Sequence, residues 1–152
     1  MKSLVAGIGS TIRGDDGVGV HAARQLRTRS LPDNVRVIEL GTAGLALLDV
    51  VEGYDGLIVL DAIVTGAPRG TVHVLAGEEM ARAVHLGAGH EADLPTTLSL
   101  GRKLMGSYMP QDVSVVAVEV GDLTTFSERL TPEVEAAIPD VIARVERLLK
   151  IA

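Results

Sequence analysis

Three short stretches hold the residues that could do chemistry. Gly9-Ser10-Thr11-Ile12-Arg13-Gly14-Asp15-Asp16-Gly17-Val18-Gly19 sets two adjacent carboxylates in a glycine-bounded loop. Asp61 closes the apolar run Leu57-Ile58-Val59-Leu60, and His90 follows the glycine-rich Leu86-Gly87-Ala88-Gly89. A glycine loop between strand and helix usually invites phosphate, but paired acids at a helix N-terminus repel it, and neither G-x-G-x-x-G nor the P-loop lysine is present. Asp15 and Asp16 are each read most simply as helix caps. Both cannot be the N-cap, so one is left for another purpose. Taken together, the carboxylates and the imidazole form a mixed oxygen and nitrogen set suited to a borderline divalent ion, with positions open to water or substrate.

The elements that must position these groups alternate between strand and helix. Leu4–Gly9, Val35–Leu40 and Leu57–Leu60 read as buried strands, the last as the central one. Val18, Ala22 and Leu26 recur at helical spacing, and Leu45–Val51 reads as a short helix. Thr71–Leu75 reads as an edge strand after a Pro-Arg-Gly turn. Pro95 opens a helix to about Met105, Val113–Val120 is a further strand, and Thr131-Pro132-Glu133 begins a last helix with Thr131 as its capping hydroxyl. Pro139 is expected to kink that helix. The predicted fold is one α/β domain over residues 1–152, a twisted, mostly parallel sheet with helices on both faces. Ligands of such sheets bind beyond the carboxyl ends of the strands, which is where the aspartates and His90 fall.

Composition narrows the function. The chain has 152 residues, no cysteine and a formal charge of −6. A disulfide framework, a thiolate metal site and a cysteine nucleophile are therefore excluded, and no G-x-S-x-G elbow marks a serine hydrolase. Three aromatic residues and no basic patch argue against nucleic acid as a partner. No apolar run approaches a membrane span, so a soluble cytoplasmic protein is expected.

Gly7-x-Gly9, Gly14-Asp15-Asp16-Gly17-x-Gly19, Gly41-Thr42-Ala43-Gly44, Asp61-Ala62, His90 and Leu130-Thr131-Pro132-Glu133-Val134-Glu135 occur in the order and spacing of one family. In this the chain resembles the hydrogenase maturation endopeptidases. The resemblance implies a metal-contacting and catalytic trio of Asp16, Asp61 and His90. It also implies a substrate, the large-subunit precursor of a nickel–iron hydrogenase, cut near its C-terminus after nickel insertion. Nickel would then arrive with the substrate, with another divalent metal possible in vitro. Such an ion could polarise the scissile carbonyl or supply the attacking hydroxide, and the sequence leaves both open. Ser10 stands where the family has asparagine, Val120 where it has proline, and any role of the family's aspartate before Gly-Thr-Ala-Gly passes here to Glu39. The Gly41–Gly44 stretch reads equally as a substrate contact or as a turn opening a helix. The rival readings are a divalent-metal-binding maturation factor without protease activity and an unrelated flavodoxin-like nucleotide or cofactor binder.

Overall fold

The computed structural model describes residues 1–42, 44–76, 79, 94–121 and 125–151. His85 and His90, with the glycine-rich loop before His90, lie outside them. The strands are β1 (Ser3–Ile8), β2 (Val35–Gly41), β3 (Gly56–Ile63), β4 (Val72–Ala76) and β5 (Asp112–Glu119). They form one sheet in the order β2-β1-β3-β5-β4. All pairings are parallel except β4 with β5. The helices among the described residues are α1 (Val18–Arg27), α2 (Leu47–Val50), α3 (Leu94–Met105) and α4 (Pro132–Leu148).

β1, β3 and most of β5 are buried on both faces. That is why they read as near-continuous apolar runs rather than alternating ones. One face carries Val5, Ile58, Leu60, Val116 and Val118 beneath α1 and α4. The other carries Leu4, Ala6, Leu57, Val59 and Val115 beneath α2 and α3. Thr71–Leu75 was expected at an edge, and β4 is the edge strand there, running antiparallel. The helix through Pro139 continues over the proline from Pro132 to Leu148.

Two expectations change. The central strand does not stop at Asp61 but runs on through Ala62 and Ile63, which pair with Val118 and Glu119. A charged residue reads as a strand end, yet the apolar run resumes after it. Leu45–Val51 is not one helix but a 3-10 turn, Gly44–Ala46, followed by the single turn of α2.

β4 and the loop before it are fastened by a buried carboxylate. Glu119, 1% exposed, accepts hydrogen bonds from the Thr65 hydroxyl and from the Thr65 N–H at 2.7 Å, and His73 Nε2 lies 3.1 Å from it. Burial alone pushes this carboxyl up, but the bonds from Thr65, His73 and the Gly66 N–H outweigh it and hold the pKa below the usual value. A carboxyl depressed on folding stabilises the fold above its unfolded pKa, near 4.3, and that contribution is lost as pH falls through the folded value. Glu119→Gln should therefore flatten the acid limb of the stability curve below about pH 5, measured as Tm against pH. An unchanged acid limb would remove Glu119 from this role.

Candidate active site

The strand order fixes where a site can form. β2 lies on one side of β1 and β3 on the other, so the chain reverses direction across the sheet between β1 and β3. The crevice beyond the carboxyl ends at such a reversal is where open α/β sheets bind ligands. Asp16 follows β1, and Asp61 sits near the end of β3.

Glycines set the depth of that crevice. A Cβ on Gly19 would lie 2.1 Å from the Leu60 carbonyl oxygen and 2.6 Å from that of Ile8. The start of α1 thus rests directly on the backbone of β1 and β3. Gly9 adopts φ +133°, and a Cβ there would meet the Asp16 carbonyl oxygen at 2.0 Å. These contacts fold the loop from Ser10 to Gly17 onto the sheet and carry both aspartates into the interior. Asp15 is 3% exposed and Asp16 1% exposed.

Neither aspartate caps α1, whose N-cap is Gly17 with no side-chain bond. The residues Gly14–Gly17 form a 3-10 turn instead, and the two carboxylates diverge. Asp15 turns to the far end of the chain, where Thr131 donates its N–H and its hydroxyl to the two carboxylate oxygens, each at 2.7 Å. The Thr131 hydroxyl, expected as an ordinary helix cap, is spent on this tertiary bond. Asp15 is thereby the tether that holds the site loop to the start of α4. Asp16 accepts a 2.9 Å bond from the Ser10 N–H, which orients its carboxylate within the loop. Asp61, 1% exposed, accepts a 2.8 Å bond from the Ala62 N–H.

The structure therefore brings Asp16 and Asp61 to the ends of neighbouring strands, both buried. Gly19, three residues after Asp16, presses on Leu60, the residue before Asp61. The third member of the expected trio, His90, lies outside the described residues. Among the described residues no group of three His, Asp or Glu side chains is arranged to hold a metal ion. Two buried carboxylates supply hard oxygen donors, which suits them to contact a divalent ion only together with further ligands.

Glu39 faces elsewhere. Its carboxylate pairs with Arg24 at 2.9 Å and with Arg27, both on α1. These arginines are about half exposed, so screening leaves the pairs worth only about 0.5 kcal/mol. Glu39→Gln should change stability by no more than that and leave proteolysis intact; loss of cleavage in that variant would return Glu39 to the site. The following Gly41 adopts φ +65°, and its carbonyl accepts a 2.8 Å bond from the Gly9 N–H. This lays the start of the Gly-Thr-Ala-Gly stretch against the site loop, and helical backbone begins at Gly44.

Sequence reasoning missed Asp15 as a tether, Glu119 as a buried anchor and His73 as its partner. Exposed apolar residues were also unread: Ile12, Leu45 and Phe126 follow β1, β2 and β5 and are 55%, 51% and 78% exposed.

A parallel α/β domain with buried acids at its reversal point defines a small-ligand or hydrolytic scaffold, and comparison with known proteins decides between these. The family model for hydrogenase maturation protease matches residues 20–148. The Hydrogenase 2 maturation protease of Escherichia coli strain K12 is 35% identical over 99% of this chain and 92% of its own length. Hydrogenase expression/formation protein HupD of Rhizobium leguminosarum bv. viciae is 33% identical over 98% of this chain and 74% of its own. The solved structure of the hydrogenase maturating endopeptidase HybD from E. coli superposes with a TM-score of 0.83 at 32% identity, covering 99% of this chain and 93% of that one. A hydrogenase 2 maturation peptidase from Thaumarchaeota archaeon SCGC_AB-539-E09 gives 0.76 at 28% identity over the full length of both chains. The chain belongs to the hydrogenase maturation protease family.

Proposed function

We propose that this protease removes the C-terminal extension of the large-subunit precursor of a nickel–iron hydrogenase, in the cytoplasm, after nickel has been inserted there. The observation that carries the reading is the pair of buried carboxylates, Asp16 and Asp61, set at the reversal point of a fold shared with hydrogenase maturation endopeptidases. Nickel belongs to the substrate in this scheme. Asp16, Asp61 and His90 contact it as it arrives and so align the scissile peptide bond. A set of two carboxylates and one imidazole is too small to fill a metal's coordination sphere, which leaves room for the ligands the precursor brings. Recognition of the metal would then make cleavage conditional on its insertion.

Within the described residues, no helix is long and apolar enough to cross a membrane. An acidic chain with three aromatic residues gives nucleic acid no purchase. The partner is a protein precursor.

The test is incubation of the protease with nickel-loaded and nickel-free precursor, followed by mass spectrometry. Loss of a C-terminal peptide from the nickel-loaded form alone is expected. Cleavage of both forms would separate the protease activity from metal reading. Cleavage of neither, with divalent-metal binding retained, would favour a maturation factor that binds without cutting.

A further inference from the structure

A cleft of about 360 Å³ opens beside the site loop, lined by Gly14, Asp15, Arg69, Ser127, Arg129 and Thr131 among others. It lies at the carboxyl edge of the sheet and shares its Gly14-Asp15 wall with the loop that carries Asp16. Arg69 and Arg129 both line it, and among the described residues neither has an ion-pair partner. The one carboxylate among the described residues lining the cleft, Asp15, has both oxygens bonded to Thr131. In a chain of net charge −6, two arginines that form no ion pair with any described residue share one cleft.

Room for one of them is built into the backbone. A Cβ on Gly121 would come within 2.4 Å of a terminal nitrogen of Arg69, so the guanidinium lies against a glycine that has no side chain to displace it. The rim is apolar. Ile12 and Phe126 are exposed, and their segments are joined where the Ser127 N–H donates to the Ile12 carbonyl at 2.9 Å and the Gly14 N–H to the Ser127 carbonyl at 2.7 Å.

Guanidinium pairs recognise the paired oxygens of a carboxylate or phosphate. Resting on the function proposed above, the reaction itself brings one such group: the peptide that is cut off ends in a free α-carboxylate. We infer that this cleft holds the C-terminal tail of the precursor, with Arg69 and Arg129 on its terminal carboxylate and Ile12 and Phe126 against its apolar side chains. The cleft then fixes how far the scissile bond lies from the chain end, and it selects substrates whose tails have that length.

The experiment uses the full-length protease and a nickel-loaded precursor made with either a free or an amidated C-terminus. For the wild type, amidation should raise KM about tenfold, the loss of one charge-assisted contact. The double variant Arg69→Ala/Arg129→Ala should show a KM raised at least as far with the free acid and no further change on amidation. Gly121→Ala should raise KM in the wild-type background and leave it unchanged when Arg69 is already alanine. Circular dichroism confirms that each variant folds. A wild-type KM indifferent to amidation overturns the inference while the function stands. Failure of the wild type to cut the free-acid precursor overturns the function and the inference together.

Discussion

Asp16→Asn and Asp61→Asn should each lower cleavage of the nickel-loaded precursor by on the order of 100-fold or more, the scale of a positioned catalytic group, with the melting temperature nearly unchanged. Asparagine has almost the same shape, and its amide oxygen can still accept the bond that each carboxylate now takes from the backbone, Ser10 N–H for Asp16 and Ala62 N–H for Asp61. The backbone bond is kept, and what is lost is the negative charge together with the second acceptor oxygen. His90→Ala should give a loss of the same order. Asp15→Asn supplies the contrast. An amide there can accept from the Thr131 N–H and donate to the Thr131 hydroxyl oxygen, so the tether survives and the loss should be far smaller. The measurement is the rate of tail release followed by mass spectrometry. Equal losses at Asp15 and Asp16 would mean that the two neighbours do not have separate tasks, and full activity in His90→Ala would take the histidine out of the trio.

Gly9→Ala is the second large effect, and it acts through the backbone. A Cβ at this position meets the Asp16 carbonyl oxygen at 2.0 Å, and φ +133° lies where side-chain-bearing residues are strained. The clash is backbone against backbone, so no flexible side chain can yield. Moving the loop is the remaining way out, and that displaces Asp16. A stability loss of about 1–3 kcal/mol follows from overpacking of this kind, or a drop in Tm of roughly 3–10 °C for a domain of this size. Cleavage should fall more than the stability loss explains, because molecules that remain folded carry a misplaced carboxylate. Differential scanning calorimetry and the cleavage rate below the transition separate the two. Normal cleavage by the folded fraction would show that the glycine serves packing alone.

Much of this protein was legible in its residues. The apolar runs of β1, β3 and β5 announce buried parallel strands because a strand covered on both faces has no polar side to show. Val18, Ala22 and Leu26 announced α1 because its buried stripe repeats with the helical turn. The match of glycine, aspartate and Leu-Thr-Pro-Glu-Val motifs along the chain identified the family that the comparisons establish.

What the residues could not tell was how neighbours would divide their work. Asp15 and Asp16 are chemically identical and adjacent, and local rules make both of them caps. The tertiary structure sends one to Thr131, 116 positions away, and leaves the other in the crevice beside β3. Asp61 looked like a strand end because charge interrupts an apolar run, whereas its pairing with Ala117 keeps it inside the sheet. Arg69 and Arg129 belong to one cleft only because the β3–β4 loop and the approach to α4 meet at the same edge. Periodicity and turn chemistry are set by residues a few positions apart, so sequence determines the elements. Which distant side chains share a hydrogen bond or a cleft depends on strand order and on how closely the glycines let backbones approach, and that is decided only when the sheet is assembled.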